Sequence, residues 1–282
     1  WKPIGILQKH GESDRMYFGL VTGSYTKNTS GGVLRKNVGT IRDEINPDTG
    51  QFTSVNGIIQ TINKLKIVGF SYSDYSYNVN CGWIATSPIV EGQCRMWGNP
   101  VAEMMYETLR YFAGAGKTSA FDYSGSTDDS SLGLPKPAWI NPYDTANGGY
   151  SHCAKPFMLV ISDINPSFDT DQLPGSAFSS FSGSLGNLNV QNLANIISGY
   201  EGITSSSGDY YIGHSMSNNP ASDSACTPKG VSGFGTIRGL CPEEPTKQGG
   251  YYSASVAYHG LKEDTSAVAG LQSVTTYAVA LA

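Results

Sequence analysis

The run Phe157-Met158-Leu159-Val160-Ile161, which leads into Ser162 and Asp163, restricts the fold more than any other stretch of this sequence. Five consecutive apolar residues leave no polar face, so a strand here is expected to be buried on both sides, as in a parallel sheet covered by helices. Segments able to supply that cover lie on either side. In "NPVAEMMYETLRYFAG" (99–114), Val101, Met104, Met105, Leu109 and Phe112 form one apolar stripe at helical spacing. Asn99 is its expected cap, Pro100 occupies a first helical position that tolerates proline, and Gly114 ends it. "LNVQNLANIISGY" (188–200) and "GGYYSASVAYHGLK" (249–262) also read as helices, and "VTTYAVALA" (274–282) reads as a second buried strand.

The first third of the chain adds a strand at Arg15 to Gly23, a hairpin arm in "GGVLRKNVGTI" (31–41), and a turn in "INPDTGQFT" (45–53) with Asp48-Thr49-Gly50 at its tip. In "NGIIQTINKLKIVGF" (56–70), Ile58, Ile59, Ile62 and Leu65 recur at helical spacing behind Asn56 as a cap. Strands alternating with helices in this order predict an α/β fold with a doubly wound, mostly parallel sheet and helices on both faces. The 282 residues suffice for one large domain of this kind, with loop insertions expected at about 69–97, 115–155 and 202–248.

Composition narrows the partners. A net charge of -5 and a pI near 5.3, with no basic stretch longer than that around Arg35-Lys36, argue against nucleic acid or an anionic membrane, which require clustered cations. No apolar run approaches the roughly 20 residues that span a bilayer. With 15% charged residues and 17 tyrosines, the surface is expected to be polar but weakly charged, as in secreted proteins. The sequence opens on Trp1 with neither a Met nor a charged start leading into an apolar core, which predicts a mature or internal segment of a longer precursor.

Five cysteines refine the compartment. Cys81 and Cys94 flank one loop and Cys226 and Cys241 another, neither with the C-x-x-C spacing of metal or redox motifs. Two local disulfides are predicted, each contributing on the order of 3 kcal/mol, and they imply an oxidising compartment. Cys153 is left over, either as a buried free thiol or paired outside this chain.

Four stretches in order carry a family resemblance: "DRMYFGLVTGSYTKNTSGGVLRKNVG", "EGQCRMWGNPVAEMMYETLRYFAG", "CAKPFMLVISDINPSFDTDQLPGS" and "GLCPEEPTKQGGYYSASVAYHG". Together they resemble the von Willebrand A (vWA)-like region of the PilC/PilY family, large tip-associated adhesion and assembly proteins of bacterial type IV pili. The resemblance implies a single vWA-like domain over 1–282, without the C-terminal β-propeller of longer family members. It also implies export through the periplasm to the pilus tip or cell surface, docking on minor pilins, and adhesion to host or abiotic surfaces, with no catalysis.

The same resemblance frames a candidate cation site. A vWA domain holds Mg²⁺ or Ca²⁺ through a D-x-S-x-S loop after its first buried strand, a Thr before a helix, and an Asp at the end of a later strand; such loops converge at the carboxyl ends of the strands. Asp163 matches the last of these, and Asn99 stands where the Thr is expected. The only D-x-S-x-S, Asp122, Ser124 and Ser126, follows the Asn99 helix instead of preceding it and reads as a decoy, so either the true first loop is expected outside this chain, upstream of Trp1, or the cation site is lost. The alternative function is a secreted polysaccharide hydrolase using Glu243 with Glu244, or Asp163 with Asp169. Adjacent glutamates are poorly placed for it, since facing carboxyls must flank one bond. The four histidines are too scattered for a zinc site, and nucleophile-elbow and phosphate-loop motifs are absent.

Overall fold

The computed structural model describes residues 2, 4–77, 88–125, 127–204, 208–216, 225–242 and 245–281. Its elements are α1 (Ile6–Gly11), β1 (Phe18–Thr22), β2 (Val33–Gly39), α2 (Ile58–Lys64), β3 (Phe70–Ser71), β4 (Ser76–Tyr77), α3 (Val101–Phe112) and α4 (Asp128–Ser131). They continue with β5 (Phe157–Asp163), α5 (Val190–Tyr200), β6 (Asp209–Ile212), β7 (His214–Ser215), β8 (Thr227–Gly230), β9 (Ile237–Arg238), α6 (Tyr252–Lys262) and β10 (Thr275–Leu281). The class is mixed α/β, and every helix and long strand expected from the residue pattern is present.

The main core forms where the apolar stripes meet. Val101, Met105, Leu109 and Phe112 of α3 pack with Met158 of β5, Val190 and Ala194 of α5, and Tyr252 and Val256 of α6. Leu109, Val190 and Val256 are fully buried, and burying one such side chain stabilises the fold by roughly 1.5–3 kcal/mol. A Cβ at Gly260 would come within 3.0 Å of the Leu109 side chain, so the glycine sets how closely α6 approaches α3. A second cluster, Ile41, Ile45, Ile58 and Ile59, joins α2 to the β1–β2 hairpin.

The strands pair differently from the expectation. β5 and β10 run parallel, in continuous register from Phe157 with Thr275 to Asp163 with Leu281. β1 and β2 form an antiparallel hairpin with irregular register, and among the described residues every sheet has two strands, so one wide doubly wound sheet is not formed by them. Nor is β5 buried on both faces. Met158 is buried and Val160 partly so, but Phe157, Leu159 and Ile161 are exposed. The reason is that α3 and α6 cover one side of the pair only.

Neither helix is capped by its adjacent asparagine; carboxylates from elsewhere accept first-turn N–H groups, Glu44 that of Ile59 in α2 and Asp169 that of Ala102 in α3. Gly57 precedes α2 without a side-chain cap; the buried Glu44 accepts the Ile59 N–H (2.8 Å) and pairs with Lys36 (2.5 Å), while Asn56 donates to the Gly133 carbonyl. A Cβ at Gly57 would lie 2.1 Å from Glu44 Oε1, which is why that position is open. Pro100 precedes α3, also without a side-chain cap, and Glu103 in the first turn accepts N–H bonds from Gly31 (2.6 Å) and Gln172 (3.1 Å). Gly114 does end α3, at φ +68.

Of the disulfide expectations, Cys226–Cys241 is present. Cys94 is disulfide-bonded, and its expected partner Cys81 lies outside the described residues. Cys153 is a free thiol and exposed, contrary to the buried alternative, because it sits in the solvent-facing stretch 151–155 before β5.

Candidate functional site at the end of the parallel strands

The carboxyl end of β5 meets the amino end of α3, and this brings Asn99 and Asp163 together. The Asn99 amide nitrogen donates to Asp163 Oδ1 (3.0 Å), Ser162 Oγ (2.7 Å) and the Asn165 carbonyl (3.2 Å). A carboxylate and a carbonyl can only accept, so this placement of the amide nitrogen follows from its surroundings. Two backbone-level bonds lock the loop: Asn99 N–H donates to Ser167 Oγ (2.8 Å) and Ser167 N–H to the Asn99 carbonyl (2.9 Å). Asp163 Oδ1 also accepts the Asn165 N–H (2.9 Å). The arrangement ties strand end to helix start.

In this arrangement Asn99 turns its amide nitrogen, not its oxygen, toward Asp163, and among the described residues no group of three or more His, Cys, Asp or Glu is placed to hold a metal ion. The predicted decoy stands apart: Asp122 pairs with Lys117 (2.6 Å) and Lys136 (2.8 Å), Ser124 is exposed, and Ser126 lies outside the described residues.

Beside Asn99 opens a groove of about 480 Å³. Its walls are the end of β1 from Thr22 to Tyr25, the stretch Leu65 to Ile67 after α2, and Arg95 to Pro100 with Met104. Trp97, Met96, Met104, Leu65 and Ile67 give it apolar surface, while Lys66 and Arg95 supply cationic charge. Arg95 is paired with Asp128 (2.7 Å), and the Tyr25 hydroxyl donates to the Lys66 carbonyl (2.6 Å).

Behind this site lie three carboxyls whose burial the residue pattern did not reveal. Asp169 is fully buried; burial pushes its pKa up to about 7, against the N–H groups of Gly250 (3.0 Å from Oδ1) and Ala102 in the first turn of α3. Its Oδ2 has no hydrogen-bond partner among the described residues. Burial likewise raises Glu103 well above the usual carboxylate range, with help from the nearby Asp171, and raises Asp171 itself. A carboxyl with no exposure cannot reach a polysaccharide, so Asp169 does not serve with Asp163 as a hydrolytic pair; Glu243 and Glu244 lie outside the described residues. The acidic "FDTDQ" was visible as a cluster, but only packing of the 168–172 loop over α3 sets its protonation.

A second buried network was equally hidden. Arg35 on β2 and Asp129 on α4, both without exposure, pair at 2.5 Å, and Arg35 also donates to the Tyr123 hydroxyl (2.9 Å) and the Pro135 carbonyl (3.1 Å). Asp129 accepts from Ser24 and Thr26. This network anchors the 122–136 segment, expected to be a solvated insertion, onto the β1–β2 hairpin.

A family model described as "PilY1 homolog, second domain" matches residues 18–260. The chain belongs to the PilY1-homolog family. It is 51% identical over 301 residues to the "Type IV pilus biogenesis factor PilY1 homolog" of Xylella fastidiosa (strain Temecula1), a match that covers 100% of this chain and 20% of that protein. The chain thus spans about a fifth of the length of this relative. No solved structure matches it.

Proposed function

We propose that the chain is a non-enzymatic, vWA-like module of a type IV pilus protein, exported to the cell surface, that supports pilus assembly and adhesion by docking on minor pilins at the tip. The observation that carries this reading is the 51% identity to a pilus biogenesis factor along the whole chain. The parallel β5–β10 pair with α3 and α6 is consistent with part of a doubly wound sheet, and the disulfides are consistent with export through an oxidising compartment. In this reading the groove beside Asn99, with Trp97 and Tyr25 in its walls, is a contact surface for a protein or glycan partner, since aromatic groups give large contact area at small entropic cost. A Mg²⁺ or Ca²⁺ ion at Asp163 would require the Asn99 amide to turn over and a further loop to supply oxygens.

The test is genetic replacement. Deleting the segment corresponding to these residues from the full-length gene should abolish surface pili and adhesion, and immunogold labelling of the complemented strain should find the protein at pilus ends. Normal pili and adhesion in the deletion strain would sink the reading, as would turnover of a glycan that depends on Asp163.

A further inference from the structure

The parallel pair β5–β10 has one apolar face that no described residue covers. In register, Leu159 lies beside Tyr277 and Ile161 beside Val279, with Phe157 at one end and Leu281 at the other. These six side chains are between 46% and 63% exposed, and the row contains no charge until Asp163. The opposite face of β5 is where Met158 and Val160 enter the core against α3 and α6. The other edge of β5 is also free, because β10 is its only strand partner among the described residues.

Such an element is incomplete by itself. Parallel strands occur almost only in sheets covered on both faces, two-stranded sheets are marginal in water, and a contiguous apolar patch of this kind marks a buried interface. The occupant is indicated by two facts. The matching family model describes a second domain, and the related protein extends over about five times the length this chain aligns with. An apolar row bounded by Lys155 over Phe157 and by Asp163 beside Leu281 resembles the inside of a permanent core more than a reversible docking site, where polar groups are spread through the contact.

We propose that the Phe157–Ile161 and Tyr277–Leu281 face is an internal interface of the full-length protein, covered by a strand-and-helix unit of the same polypeptide that lies outside residues 1–282 and extends the sheet from the free edge of β5. The β5–β10 pair is then the middle of a wider sheet. This inference does not depend on what the pilus protein binds.

The experiment uses the full-length protein as a monomer. With Leu159→p-benzoylphenylalanine, which keeps an apolar side chain at the position, irradiation should yield a link to a peptide of the same molecule outside 1–282. Hydroxyl-radical footprinting of the unaltered protein should label Phe157 and Tyr277 severalfold more slowly than Tyr75, which is 79% exposed. A link to a second copy, to another protein, or to a peptide within 1–282 would overturn the proposal. So would Phe157 and Tyr277 labelling as fast as Tyr75 in the monomer.

Discussion

Replacing Asp169 with Asn should flatten the dependence of stability on pH. In the folded chain burial raises this carboxyl from an ordinary 3.8 to about 7, so the folded state keeps a proton that the unfolded chain has already released. Because the folded pKa is raised, the stability contributed by the protonated form is fully present below about pH 4 and is lost as pH rises through about 7. At about 1.4 kcal/mol per pH unit, the interval from 3.8 to about 7 amounts to about 4 kcal/mol. Glu103 and Asp171, also raised by burial, slope in the same direction, and the Arg238 charge near Asp171 opposes them. The Asp169→Asn side chain would carry no titrating proton, while its oxygen can still accept the Gly250 N–H. An unpartnered amide in place of Oδ2 costs about 1–3 kcal/mol, but equally at every pH. Urea unfolding of the disulfide-intact 282-residue chain, followed by tryptophan fluorescence from pH 4 to 8, reads the difference. Wild type should lose about 4 kcal/mol more than D169N across this range. If the two curves run parallel, burial of Asp169 as an acid is wrong.

Breaking the Arg35–Asp129 pair should be costly: Arg35→Met leaves a buried, uncompensated carboxylate and should destabilise by about 3–5 kcal/mol in urea unfolding, whereas breaking a solvent-screened pair such as Arg42–Asp14 should move the urea midpoint far less. Gly31→Ala should destabilise by several kcal/mol, because the residue sits at φ +52 with a would-be Cβ 2.0 Å from the Phe121 ring; thermal melting checks it, and an unchanged midpoint would refute the packing. Adding Mg²⁺ or Ca²⁺ should shift the thermal midpoint of the 282-residue chain no more than that of its Asp163→Asn variant, and an Asp163-dependent rise would show that Asn99 reorients to a ligand. Replacing Cys226 and Cys241 with Ser should cost on the order of 3 kcal/mol, measured against wild type under oxidising conditions.

How far the residues alone reach depends on the range of the interaction concerned. The apolar spacing in 101–112, 190–200 and 252–262, and the β-branched runs at 157–163 and 275–281, were enough to locate the helices and the parallel pair, because periodicity within an element is local. Asn99 and Asp163 could be matched to neighbouring loops because strand ends and helix starts meet at one edge of an α/β layer, and they do meet. Capping was misplaced for a physical reason. Asn56 and Asn99 are good local caps, yet Glu44 and Asp169 accept first-turn N–H groups of α2 and α3, where burial makes their hydrogen bonds stronger than those of an exposed amide.

Secondary structure, the two-cysteine loop at 226–241, the absence of clustered cations and the family likeness were therefore determined by the amino-acid sequence itself, since each rests on residues near one another in the chain. Only the tertiary structure decided which carboxyls are buried, that Arg35 and Asp129 meet across 94 positions, and that one face of β5 is left uncovered by the described residues. Burial and charge pairing are properties of what folds over a residue, and Asp169, Glu103 and the Phe157 face acquire theirs from segments far away in sequence.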